Sequence, residues 1–324
     1  MNYEHNKPIE TIFDLPFDKE GLLEMEEKER EIGIEIELEL KNAPSVISFW
    51  TTHSDGSIHA PPGFTGVEYV LKQPLSRKWA KRALNHLEGK LRDAGTIFLN
   101  SSRTSVHIHL NCIGMSIRQI YTLATLYYVF EEILVDYISP ERAGNLFCLR
   151  LKDAEFQLTS LREGIEKGYP NLLIDHDLRY SALNFASLPK FGSLEFRAMR
   201  STTKTEDITR WLNYLLALKD AAKVYSSPIA VIEAFSALGA KTFLETTFPG
   251  DLAAPLSEGR NTTEMMYAGI RLIQDIAYAS EWPDDTSTPP KGRGRAKKKV
   301  PNSFSGSYYF PDPNFGNLPN DDNA

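Results

Sequence analysis

Four short stretches of the 324-residue chain place side chains capable of chemistry at alternate or isolated positions within apolar runs. GIEIELEL (33–40) carries Glu35, Glu37 and Glu39; GVEYVL (66–71) carries Glu68; SVHIHLN (105–111) carries His107 and His109; and GSLEFRAMR (192–200) carries Glu195 and Arg197. Side chains alternate across a β-strand with period two, so spaced polar residues share one face and their apolar neighbours the other. Gathered into one sheet, these strands would have a dry back and a wet front bearing carboxylates, two imidazoles and a guanidinium. Neighbouring carboxylates repel each other unless positive charge sits among them. Carboxylate-rich sites with little sulfur favour Mg2+ or Mn2+ over zinc, and Mg2+ commonly arrives with nucleotide phosphates.

Each stretch alone also has a plainer reading. Three Glu on a strand face can simply meet water. His-x-His is short enough to arise by chance in many folds, and Glu195 with Arg197 can be a cross-strand ion pair as well as a metal and phosphate contact side by side. A metal-dependent hydrolase built on His107 and His109 is an alternative, weakened by the surplus of Glu and the lack of further spaced His. A non-catalytic binding or scaffold protein is another. No GxxxxGK followed by Ser or Thr occurs, which disfavours a P-loop kinase or ATPase.

The strands need elements to position them. SVISFW (45–50) reads as a partner strand for the first acidic one, followed by a Gly-, Pro- and Ser-rich loop from 51 to 66. From that loop His53, Asp55, Ser57 and His59 could touch a ligand, while Asp55-Gly56 equally makes a plain turn. Residues 76–93 have Trp79, Ala83, Leu84, Leu87 and Leu91 at helical spacing under a basic, solvated face, with Gly95 ending the pattern. A strongly apolar helix is expected over 116–138, with Glu131 and Glu132 on or near its exposed side. Arg142 and Asn145 follow it, where Arg142 could meet an anion or cap the helix. Helices are expected at 155–167, 205–225, 228–246 and 261–281, and a further strand at RYSALNFAS (179–187).

Hydrophobic residues make up 42% and charged residues 24%, ordinary for a soluble globular protein. A net charge of −7 gives no general reason to expect nucleic-acid binding. No apolar run is long enough for a bilayer, and the start lacks the regions of a secretory signal, so cytoplasmic residence is expected. Cys112 and Cys148 lack metal or disulfide spacing and read as buried free thiols. No evident base flanks Cys148 as a nucleophile. One main domain, 31–282, is expected between a lead-in over 1–30, in which GLLEMEEKERE suggests a short helix, and a flexible tail over 283–324. The tail's KGRGRAKKK (291–299) is the one hint of nucleic acid or an acidic partner.

GIEIE, GVEYV, VHIHLN and SLEFR, in this order and joined by RYSALN and PERAGNLFC, resemble the phage and bacterial amidoligase family, related to the glutamine synthetase and glutamate-cysteine ligase fold. The resemblance spans about residues 32–215. It implies an α+β fold of the glutamine synthetase/guanido kinase-like type, a curved antiparallel sheet with helices on its apolar face. It implies an ATP- and Mg2+-dependent carboxylate–amine ligase, with Mn2+ an alternative ion, acting through an acyl phosphate on small-molecule or peptide substrates. Glu35, Glu37, Glu68, His107 and Glu195 would hold metals, and His109 and Arg197 would contact ATP phosphates or the acyl phosphate. Arg179 and Arg200 are further candidates for phosphate or substrate, although strict alternation puts Arg200 on the wrong face unless the strand bulges or ends. Glu39 has no implied role.

Overall fold

Alternation along residues 32–41 produces the central strand. In the computed structural model, which describes residues 3–15, 30–44, 47–54, 58–99, 101–167, 179–280 and 282, this segment is β1 (Ile32–Lys41). Ile32, Ile34, Ile36, Leu38 and Leu40 are each at most 1% exposed, so the whole apolar set faces the core. The remaining strands are β2 (Trp50–Ser54), β3 (Thr65–Leu71), β4 (Ile97–Phe98), β5 (Ser105–Asn111), β6 (Leu183–Asn184) and β7 (Ser193–Arg200). Their order is β2-β3-β1-β5-β7-β6, with β4 paired to the far end of β1, and every pairing between these strands is antiparallel. The sheet is open rather than closed into a barrel.

The helices are α1 (Ile9–Ile12), α2 (Arg77–Asp93), α3 (Ile117–Ile138), α4 (Glu155–Lys167), α5 (Leu188–Phe191), α6 (Thr205–Ala222), α7 (Pro228–Thr247), α8 (Ala253–Ser257) and α9 (Thr262–Ala277). α6 packs on β5 and α3 on β7, where the Tyr127 and Phe196 rings meet at 5.2 Å between centroids. α3 begins in a capping box: the Ser116 hydroxyl accepts from the Gln119 backbone N–H, and the Gln119 side-chain Oε1 accepts from the Ser116 N–H. α9 lies so close to α3 that a Cβ on Gly269 would stand 2.6 Å from the Tyr128 carbonyl oxygen, so only glycine fits the crossing. Each Leu or Ile hidden in this interface contributes roughly 1.5–3 kcal/mol.

Charge also anchors the sheet. Glu31, just before β1, accepts from Arg77 of α2 at 2.8 and 3.0 Å, and Arg77 also reaches Asp220 of α6 at 3.1 Å. The fully buried Lys219 ammonium lies 3.7 Å from the same Glu31 carboxylate. The entry of β1 is thereby tied to two helices at once.

Several expectations from sequence need correction. Of the partner strand expected at 45–50, residues 45 and 46 lie outside the described residues and 47–49 form no strand; the strand starts at Trp50, after the left-handed Phe49 (φ 69°), and runs to Ser54. His53 is therefore a strand residue beside β3, whereas His59 stays in an exposed connection. Only Leu183–Asn184 of 179–187 forms a strand. Glu131 is buried because α3 is covered both by the sheet and by α9, and its carboxylate accepts from the Leu151 N–H at 2.8 Å. Arg142 is also buried, donating to the Thr104 carbonyl at 2.9 Å and to Cys148 Sγ at 3.3 Å, so it meets no anion from outside. Asn145 accepts from the Phe147 N–H within its own loop and donates to the Ser102 carbonyl in the segment before β5. Cys112 and Cys148 are free and buried, as expected. The lead-in over 16–29, Asp55, Ser57 and the tail from 283 lie outside the described residues.

Candidate functional site

Sheet register assembles the polar front in rows. In one row His53 of β2 faces Glu68 of β3, which faces Glu37 of β1. In the next, Glu35 of β1 faces His107 of β5. In the third, Gly33 of β1 faces His109 of β5, which faces Glu195 of β7, which faces Asn184 of β6. Gly33 matters for its missing side chain, since a Cβ there would come 3.1 Å from His109 Cβ and crowd the imidazole.

The pairing of β5 with β7 shifts register between Val106 and Ile108, so β7 carries one extra residue. Ala198 and Met199 are consecutively buried, and Arg200 comes opposite Ser105, on the front. The bulge that strict alternation required is therefore present. Arg200 pairs with Glu141 at 3.0 Å, and its N–H donates to the Ser139 hydroxyl.

His107 is buried among acids, its Nδ1 3.1 Å from Glu35 Oε2 and 3.3 Å from Glu195 Oε1. Its Nε2 stands 2.7 Å from the Ser105 hydroxyl, and Ser105 holds Glu37 through both its N–H (3.0 Å) and its Oγ (2.6 Å). His109 is turned the other way. Its Nδ1 lies 3.0 Å from Ser193 Oγ, the Phe191 ring stands edge-on to it, and its buried Nε2 has only Glu35 Oε1, 3.4 Å away, with no well-formed hydrogen bond. Arg197 forms an ion pair with Glu195 and donates from Nε to the Phe147 carbonyl at 3.4 Å.

Burial alone would raise the carboxylate pKa values here. The neighbouring His107 and His109 imidazoles outweigh it at Glu35, and Arg197 with both histidines outweighs it at Glu195, so both acids are held below the usual carboxylate range. Burial would lower the His109 pKa, but Glu35 and Glu195 raise it above the ordinary imidazole value. The site draws positive charge towards itself.

Ligand atoms of Glu35, His109 and Glu195 lie within 4.8 Å of one another, a grouping able to hold an ion. Two carboxylates and one imidazole whose buried Nε2 is unsatisfied fit a divalent cation that prefers oxygen ligands. His107 stands outside that group, its Nδ1 shared between Glu35 and Glu195. Glu37 and Glu68 face each other in the adjoining row. Glu39 is buried and accepts from Arg103 at 2.9 Å and Ser101 at 3.3 Å, which fastens the segment before β5. Arg179 is exposed, its guanidinium 4.5 Å from the Tyr180 ring centroid. A separate cavity of about 520 Å³, lined by Phe49, Pro74, Leu75 and Trp79 among others, opens at the start of α2, and no residue of the acidic front lines it.

Asn184, Ser193, Ser105 and Gly33 were not singled out from sequence, yet all touch the cluster. The signal was their place inside stretches already marked: Gly33 opens GIEIE, Ser105 opens SVHIH, Ser193 opens SLEFR and Asn184 closes RYSALN.

A family model described as "Putative amidoligase enzyme" matches residues 50–219, more than half of the chain. The chain belongs to this amidoligase family. The matched range holds Glu68, both histidines, Glu195 and Arg197, while β1, with Glu35 and Glu37, joins them through sheet pairing. Among solved structures, a bifunctional glutathione synthetase from Pasteurella multocida is similar at 10% identity and a TM-score of 0.38, covering 84% of this chain and 50% of that chain. The chain thus spans about half the length of that protein. No curated protein matches. Among the described residues, no helix is long and apolar enough to cross a membrane.

Proposed function

We propose that this amidoligase-family protein is an ATP- and Mg2+-dependent carboxylate–amine ligase that forms an amide or isopeptide bond through an acyl phosphate. The observation that carries the reading is the convergence of Glu35, His109 and Glu195 beside Arg197 on one sheet face, in a chain of this family. Glu35, His109 and Glu195 would hold a divalent cation, with Glu37 and Glu68 supplying carboxylates next to it. His109 takes the ligand role that the family resemblance gave to His107, because the His107 Nδ1 is already shared between the two acids. When bound, Mg2+ or Mn2+ would offset the charge that collects on phosphoryl oxygens.

The chain's own part is positioning and electrostatics. A carboxylate is a poor electrophile. Its oxygen attacks the γ-phosphorus of ATP, the bond to the β–γ bridging oxygen breaks, and ADP leaves. The amine then attacks the acyl carbon, phosphate leaves with the bonding electrons, and the amine proton passes to a base or to solvent. Arg197, fixed by Glu195 and the Phe147 carbonyl, would face the transferring phosphoryl group, with Arg200 and Arg179 further out. No side-chain nucleophile is needed. The glutamine synthetase-like fold type, small or peptide substrates and a cytoplasmic setting belong to the same proposal.

The test is release of ADP and phosphate that requires Mg2+, a carboxylate and an amine together. Glu195→Gln is expected to lower the rate about 100-fold or more, the scale seen when one preorganised charge partner is removed. Turnover without ATP, or full activity in Glu195→Gln, overturns the reading.

A further inference from the structure

We propose that Asn184 and Ser193 are positioning residues, which aim Glu195 and His109 at the cation, and that the β6-to-β7 segment carrying them serves that purpose. The inference rests on the reading of Glu35, His109 and Glu195 as cation ligands. It adds what sets their orientation.

Asn184 is buried, and the orientation of its amide is fixed: Oδ1 accepts from the Ala186 N–H at 2.8 Å. The NH2 group must then point to the other side, where Nδ2 donates to Glu195 Oε2 at 2.5 Å. That bond pins one carboxylate oxygen and leaves the other beside His107 and Arg197. Ser193, also buried, does the same for the imidazole. With its hydroxyl 3.0 Å from Nδ1, the His109 ring is set so that Nε2 faces Glu35. Metal-binding histidines are commonly held in this way through the nitrogen that does not bind.

One staple holds both residues. The Ser187 hydroxyl reaches the Ser193 carbonyl at 2.6 Å and the Asn184 carbonyl at 3.3 Å, joining the two ends of the segment. Between them α5 is a single turn, ended by Gly192 in the left-handed conformation (φ 64°), which returns the chain to β7. Three buried polar side chains within ten residues would be an expensive way to build a plain turn. Here Asn184 and Ser193 direct their side chains to the two ligands, and Ser187 holds the backbone of both.

The experiment is Mn2+ binding to the full-length chain, followed by electron paramagnetic resonance of free Mn2+ and by calorimetry, with thermal unfolding in parallel. Wild-type chain binds Mn2+ and Glu195→Gln loses it. Asn184→Leu, which keeps the branched shape without the donor, is expected to bind about 10–100-fold more weakly. Ser193→Ala is expected to weaken binding about 10-fold, and Ser193→Thr, which keeps the hydroxyl, to restore it. Wild-type Mn2+ affinity in both Asn184→Leu and Ser193→Ala, whatever their melting temperatures, overturns the positioning role while leaving the cation site standing. Failure of the wild-type chain to bind Mn2+ overturns the cation reading and this inference with it. Should Asn184→Leu fail to fold, the Ser193 pair decides alone.

Discussion

Glu131 should make the protein less stable as pH rises through neutrality, and Glu131→Gln should remove that dependence. The carboxyl sits on α3 between the sheet and α9, and burial pushes its pKa up to about 8, against an ordinary carboxyl value of 4.5. The Leu151 N–H and Arg150 pull it down, but less strongly, and Glu132 adds to the rise. The sign follows from proton counting. Below the unfolded-state value both states are protonated and the group's full contribution is present. Between that value and about 8 the unfolded chain releases its proton and the folded chain does not, so stability falls, and above about 8 it levels off. At about 1.36 kcal/mol per pKa unit, the ceiling on the loss is about 4–5 kcal/mol. Gln keeps an acceptor for the Leu151 N–H but cannot ionise. Urea unfolding of both proteins at intervals from pH 5 to pH 9 should give curves that diverge by about 4 kcal/mol across the window, with Gln the flatter. Parallel curves, differing by less than about 1 kcal/mol in their change with pH, would refute the idea that this carboxyl stays protonated in the fold.

Other consequences follow from close approaches. Gly33→Ala places a Cβ 3.1 Å from His109 Cβ, so Mn2+ affinity should drop several-fold while the melting temperature moves little; calorimetry beside thermal unfolding separates the two. Glu31→Ala removes the carboxylate shared by Arg77 and Lys219 and should cost about 3–5 kcal/mol in urea unfolding, because Lys219 is wholly buried. Gly269→Ala would drive a Cβ into the Tyr128 carbonyl at 2.6 Å, and the shift of α9 should cost about 1–3 kcal/mol, read as a lower melting temperature.

The front of the sheet was legible because a strand exposes its period directly: Glu35, His107 and Glu195 were each flanked by apolar residues that had to face the core. Helix α3 was legible as a helix but not in its burial. An apolar stripe tells which side faces in only when the other side is wet, and α3 has neighbours on both, so the pattern puts Glu131 on or near an exposed side that is in fact covered. The start of β2 is hidden in the sequence because Phe49 takes a left-handed backbone without being Gly, Asn or Asp, a break that composition does not advertise. Asn184 and Ser193 were invisible for another reason. A single amide or hydroxyl carries no period, and its role appears only when the strands bring it to a partner.

Two imidazoles on one strand face looked equivalent in the sequence, and register separates them. His107 faces Glu35, so a side chain lies across from it, and its two nitrogens meet Ser105 on one side and Glu35 and Glu195 on the other. His109 faces Gly33, where nothing fills the space, and its ring extends until Nε2 points at Glu35 without a good donor–acceptor pair. The His107 Nδ1 lies 3.1 Å from Glu35 and 3.3 Å from Glu195, so the buried imidazole bridges the two acids. One ring thus links the carboxylates and the other adds a nitrogen to them. A side chain across from one ring and a bare glycine across from the other is a difference of register, which alternation alone cannot reveal.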